Sequence, residues 1–265
     1  MKRYFSILLF FFFLLFSVNS AYATRIVSLA SSLTKNVQYL GAENELVGRT
    51  SFCKTSLNIP IVASAVKVNI EKVVALKPDL VLASSLTQPE TLAALKKMGI
   101  KVVLFQSPKS YAELCEQFLN LGKMIGREEQ ARKVLASTNQ KVNLLKAKAQ
   151  SNKRVFIELG ANPLFAVIPN TFMDDYIRFA GAKNIAQGMK TGSITREAVL
   201  VRNPEAIFIV TMGVLAEQEK KQWEKYSTLA ATKNKKIFVV DSDKACTPTP
   251  VTFVETLEAI VKGLK

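Results

Sequence analysis

Short, continuous apolar runs (Ile26-Val27, Leu80-Val81-Leu82 and Val102-Val103-Leu104) alternate along the chain with stretches of helical period. Runs that are apolar at every position suit parallel strands covered on both faces, so the pattern predicts an α/β fold. Helix starts are also legible. Asn69 is placed to cap a helix running through Leu76, which stops before Lys77-Pro78. Ser110 with Glu113 forms a capping-box signature for a helix carrying Leu114, Phe118, Leu121 and Ile125. After Gly126 a second helical stretch places Ala131, Val134, Leu135, Thr138, Val142 and Leu145 on one face, and a last helix is expected from Pro250 to Leu264.

The pattern occurs twice. Segment 25-RIVSL-29 returns as 154-RVFIEL-159, and 39-YLGAENELVG-48 as 179-FAGAKNIAQG-188. In the same order, 69-NIEKVVALKPDLVLAS-84 returns as 195-TREAVLVRNPEAIFIV-210, and 101-KVVLFQS-107 as 236-KIFVVDS-242. Each match alone is weak; four in the same order predict two lobes of similar fold with a cleft between them, where pockets favour ligands. The expected division is a signal peptide over 1–23, an N-terminal lobe over 24–108, connecting helices over 109–152 and a C-terminal lobe over 153–265. The joint lacks the Gly/Ser or Pro-rich run of a flexible linker and is expected to be stiff.

The first residues read as a secretory signal: Lys2 and Arg3, an apolar run from Ile7 to Phe16, and Ala21-Tyr22-Ala23 as a small-x-small cleavage site. The run is short of the ~20 apolar residues that span a bilayer, so a cleaved, periplasmic protein is expected. The formal net charge is +15, much of it in 144-LLKAKAQSNKR-154 and 217-EQEKKQWEKY-226, interleaved with helical apolar positions. A solvated basic surface accounts for this; attraction of an anionic ligand or lipid surface stays open, and nothing suggests nucleic-acid binding.

The chain has no histidine, which removes Ser-His and Cys-His triads and His-bearing metal sites. Neither GxxxxGK[ST] nor GxGxxG occurs. Asp174-Asp175 reads as an N-terminal charge pair on a surface helix, Cys115 as a small core residue, and no catalytic or metal-ligating set stands out. Cys53 and Cys246 fall in loops of different lobes. They are expected to be independent thiols, a disulfide, or soft ligands to a metal chelate.

The strings 69-NIEKVVALKPDLVLAS-84 and 195-TREAVLVRNPEAIFIV-210, on either side of a helical spacer, resemble the periplasmic binding proteins of cobalamin, haem and ferric-siderophore ABC importers. The segments 71-EKVVALKPDLV-81, 99-GIKVV-103, 160-GANPLF-165 and 195-TREAVL-200 are most similar to its cobalamin-binding members. The resemblance runs from Arg25 to Leu264. It implies two Rossmann-like lobes with parallel sheets joined by one long backbone helix, and no enzymatic activity. The cargo would be a corrinoid, haem or ferric chelate, the partner a permease dimer in the inner membrane, and the protein a monomer with no cofactor of its own. Glu71 and Glu197, in matching first turns, would dock on the two permease subunits, although favourable interaction with the helix dipole also explains an acid there. Ligand-facing positions implied by the same alignment are Phe52 and Phe165, which keep aromatics, and Ala65, Ser84 and Gly192, where cobalamin-binding relatives carry tryptophan. Trp223 would pack structurally. Lys54 and Lys67 are candidates for anionic groups, and Cys53 and Cys246 for a metal centre. The competing readings are a periplasmic haem or metal carrier that never docks, and an extracytoplasmic enzyme on the same frame.

Overall fold

The computed structural model describes residues 24–64, 67–149, 151–210 and 214–265. The expected signal peptide and Ala65 lie outside them.

In the N-terminal lobe, β1 (Ile26–Ser28), β2 (Leu46–Thr50), β3 (Ile61–Ala63), β4 (Leu80–Ser84) and β5 (Val102–Phe105) form a wholly parallel sheet in the order β3-β2-β1-β4-β5. Helices α1 (Ser31–Tyr39), α2 (Ile70–Ala75) and α3 (Pro89–Lys97) fill the crossovers. Ile26 and Leu82 face one core with Leu33, Val37 and Phe118; Val27 and Val81 face another with Val73 and Leu95. Burial on both faces is why these strands are apolar at every position.

The C-terminal lobe contains β6 (Arg154–Ala161), β7 (Leu164–Ala166), β8 (Lys183–Asn184), β9 (Ala206–Ile209) and β10 (Ile237–Val239). Around them lie α6 (Asp174–Phe179), α7 (Arg196–Arg202), α8 (Val214–Glu224), α9 (Ala230–Lys233), α10 (Ser242–Ala245) and α11 (Pro250–Leu264). The parallel pairings β8-β6, β6-β9 and β9-β10 reproduce β2-β1, β1-β4 and β4-β5 in the order in which the sequence repeats. Smaller features repeat too. Lys77 (φ 45°) and Asn203 (φ 44°) both end their helices in the left-handed region immediately before a proline.

One element departs from the parallel expectation. β7 runs antiparallel to β6, pairing Glu158 with Ala166 and Ala161 with Leu164, while β8 takes the lower part of the same edge at Arg154 and Val155. Only Asn162 and Pro163 separate the two strands, too few residues for a parallel crossover. Residues 154–166 therefore form a hairpin.

The lobes are joined by α4 (Tyr111–Met124) and the 21-residue α5 (Glu128–Lys148), a rod of ~30 Å. Ala131, Val134 and Leu135 of α5 pack into the N-terminal core, whereas Val142 and Leu145 pack into the C-terminal one. A single helix rooted in both cores makes the joint stiff. Asp174 and Asp175 do open α6, but not on the surface. Both are buried: Asp174 accepts the Asn184 amide at 2.8 Å, and Asp175 accepts the backbone N–H of Tyr111 at 2.7 Å and pairs with Arg178. The second aspartate thus caps α4 from the other lobe.

Candidate functional site

In open α/β sheets ligands sit beyond the carboxyl ends of the strands, where the strand order reverses; here that point lies between β1 and β4. The loops at these ends meet their counterparts in the C-terminal lobe. Lys54, after β2, donates to the carboxylate of Asp243 in α10, after β10; Lys35 of α1 donates to the Asp243 carbonyl at 3.1 Å. The carboxyl ends of both sheets therefore open on one inter-lobe cleft.

Phe52 and Cys53 lie in the loop after β2 and point in opposite directions. Phe52 is 61% exposed, held by Ser31 Oγ donating to its carbonyl at 3.0 Å. Cys53 is 2% exposed, its sulfur sharing a hydrogen bond with Thr50 Oγ1 at 3.1 Å. Arg49 draws the loop inward by donating to the Cys53 carbonyl at 2.9 Å. The expectation that the Cys53 thiol faces the cleft is thus corrected: it faces the lobe interior. Cys246 is exposed at the end of α10, and both thiols are free, with no disulfide between them.

Phe165 stands on β7, 40% exposed, with Gly192 beside it. A Cβ on Gly192 would lie 2.9 Å from the Ala166 carbonyl oxygen and 3.1 Å from the Phe165 ring, so no larger side chain fits against the hairpin as it stands. Ser84 ends β4, and its Oγ accepts the N–H of Leu86 at 3.4 Å, turning the chain so that Leu86 is 75% exposed. Lys67 closes a turn with Ser64, whose N–H donates to its carbonyl at 2.9 Å, and its side chain is exposed. Lys54 is an inter-lobe ion-pair partner here; its ammonium holds the Asp243 carboxyl below the usual carboxylate range. Leu86, Lys35 and Asp243 were not singled out from the sequence. An apolar residue in the turn after a buried strand was the available signal for Leu86.

Glu71 and Glu197 occupy equivalent places. Asn69 Oδ1 accepts Lys72 N–H at 2.8 Å and Thr195 Oγ1 accepts Ala198 N–H at 3.2 Å, so each short helix starts from a side-chain cap. Both glutamates are exposed in the first turn and join no ion pair among the described residues. The Glu197 carboxyl is held low by its own backbone N–H and by Thr195. Behind α7, Trp223 is fully buried, as expected of a structural Trp; Arg196 lies over its ring, 4.6 Å from the centroid, and pairs with Glu219.

A family model described as periplasmic binding protein matches residues 26–244. The chain belongs to the periplasmic binding protein family. An uncharacterized ABC transporter substrate-binding lipoprotein of Bacillus subtilis, YvrC, is 30% identical over 254 residues, covering 91% of this chain and 79% of that one. The vitamin B12-binding protein of Vibrio cholerae is 26% identical over 251 residues, covering 92% and 90% respectively. Among solved structures, the periplasmic haem-binding protein HutB of Vibrio cholerae matches with a TM-score of 0.81 at 23% identity, over 91% of this chain and 98% of that one. A possible iron-binding protein of Staphylococcus epidermidis matches with a TM-score of 0.78 at 25% identity, over 91% and 98%. At HutB's level of identity the likeness speaks for the fold. The chain is a substrate-binding protein of the ABC-importer class and works outside the cytoplasm.

Proposed function

We propose that the protein captures a metal chelate (a corrinoid, haem or ferric siderophore) in the inter-lobe cleft and delivers it to an inner-membrane permease. The observation that carries this is the set of exposed apolar side chains at the strand ends: Phe52 and Leu86 on one lobe, Phe165 on the other. Large apolar groups left in water on both sides of a cleft favour a ligand with a broad apolar face, because burying them contributes roughly 25 cal/mol per Å². Ser84, Lys54, Lys67 and Cys246 supply polar groups at the rim.

Glu71 and Glu197 are the docking groups. A two-fold permease meets the same acid twice, at the first turn of equivalent helices, where arginine can engage each carboxylate bidentately. In a carrier that never docks, the two acids would serve only to complement their helix dipoles. The protein acts as a periplasmic monomer whose chain begins near Thr24 after signal-peptide cleavage, and it has no cofactor of its own. The absorption spectrum of protein purified from cells fed each chelate tests the ligand class. A corrin, Soret or ferric charge-transfer band that co-purifies with the protein supports the reading. Loss of uptake in cells lacking the protein, without any such band or measurable binding, would redirect it toward a colourless substrate.

A further inference from the structure

The contact between the lobes at the cleft mouth is unevenly charged. Lys35 and Lys54 of the N-terminal lobe both converge on Asp243, the first on its carbonyl oxygen and the second on its carboxylate. Of the ion pairs among the described residues, Lys54–Asp243 is the one that crosses from lobe to lobe. The base of Lys54 is fixed. Gln38 donates to the Lys54 carbonyl at 3.0 Å, and Glu43 holds Gln38 at 2.7 Å and Thr55 at 2.6 Å. The base of Asp243 is fixed as well, because its N–H donates to Asp241 Oδ1 at 2.9 Å in the cap of α10. Two ammonium groups thus meet at one aspartate, Lys35 on its carbonyl and Lys54 on its carboxylate, the latter two residues along the chain from the exposed Phe52.

An exposed ion pair of this kind contributes little to stability and cannot lock the lobes. Its consequence lies in what it resembles. A protein carboxylate occupies Lys54 at the junction of the lobes, where Lys35 also lies close enough to help Lys54 hold the same carboxyl low. We propose that the Asp243 carboxylate is an internal stand-in for an anionic group of the cargo, displaced from Lys54 when the ligand binds, with the Lys35 ammonium close by to share the incoming charge. The inference rests on the chelate-binding reading and narrows it to chelates carrying carboxylate or another negative group at their edge. The exchange gives Lys54 one carboxylate for another, so the cost of freeing Asp243 is the cost of moving one exposed carboxylate into water. A neutral chelate gains nothing from displacing it and is disfavoured in proportion.

The test is a spectroscopic titration of the full mature protein with hemin, which carries two carboxylates, and with hemin dimethyl ester, which carries none, beside cyanocobalamin as a carboxylate-free chelate. For Asp243→Asn the expectation is hemin binding tighter by roughly fivefold, the scale of one exposed ion pair. For Lys35→Ala with Lys54→Ala the expectation is hemin binding weakened by about tenfold or more, with the wild-type affinity falling as salt is raised. The ester should be indifferent to all three changes. Circular dichroism checks that the surface variants are folded. Hemin affinity unmoved by both variants, or an ester that shifts as much as hemin, overturns the inference and leaves the chelate reading standing. Binding of the dimethyl ester but not of hemin does the same. A folded wild type that binds none of the three probes overturns both.

Discussion

Trp223 donates its indole N–H to Glu158 at 2.6 Å, and both side chains are fully buried. Burial pushes the Glu158 carboxyl up to about 7; the Trp223 bond pulls the other way and Glu219 adds repulsion. This buried acid lies behind α7, whose residue Arg196 covers the same indole.

A raised carboxyl means that the folded protein holds a proton which the unfolded chain releases near the ordinary value of 4.5. Stability from this group is therefore full below pH 4.5 and is lost as pH rises toward about 7. Glu158→Gln keeps an acceptor for Trp223 and removes the titration. Urea denaturation across this range should show the wild type losing up to about 3 kcal/mol relative to the variant. Parallel pH profiles would show that Glu158 does not titrate there.

Asp175 caps α4 across the joint, so Asp175→Ala should leave the buried Tyr111 N–H without an acceptor. The expected loss is about 1–3 kcal/mol by chemical denaturation, with Asp175→Asn retaining most of the stability. Equal losses in the two variants would mean that the charge pair with Arg178, rather than the cap, carries the effect.

The three thiols should separate by reactivity. Cys246 is exposed, Cys53 is buried under its own loop, and burial pushes the Cys115 thiol up to about 11. Desolvation and the Asp243 charge also push the Cys246 thiol up, so native protein should take one iodoacetamide slowly at neutral pH and faster as pH is raised, by intact mass, and three only after denaturation. Slower labelling of Cys246 with ligand bound is expected from its place on the cleft rim.

Reversing Glu71 and Glu197 together to Lys should abolish chelate uptake in whole cells. Ligand affinity and melting temperature should stay close to wild type, since an exposed acid in the first turn of a short helix contributes little to it. Normal uptake by the double variant would remove these residues from docking.

What the sequence made legible was local or repeated. Asn69 read as a cap because a cap is set by a side chain and the N–H three residues on, and that bond is present; Thr195, at the matching place in the repeat, makes the same bond. The doubled strings specify doubled strand pairings because each apolar run is long enough to define one strand. The β6–β7 hairpin was missed, since Gly160 to Phe165 lacks the alternation that marks a strand and carries a turn signal instead. Cys53 was misplaced because its direction is decided by Arg49 pulling on a carbonyl, which composition does not reveal. The Lys54–Asp243 contact joins residues 189 positions apart and exists only because two folded lobes bring their loops together.

The most direct test of chelate capture in the cleft is calorimetric titration of the wild type and of Phe52→Ala/Leu86→Ala/Phe165→Ala with cyanocobalamin, hemin and a ferric siderophore. The expected result is one-to-one binding of at least one chelate at micromolar affinity or tighter by the wild type. The folded triple variant should bind it at least about tenfold more weakly, as loss of even part of the apolar contact area requires. Equal affinity in the two proteins, or no binding of any chelate by the wild type, would contradict it.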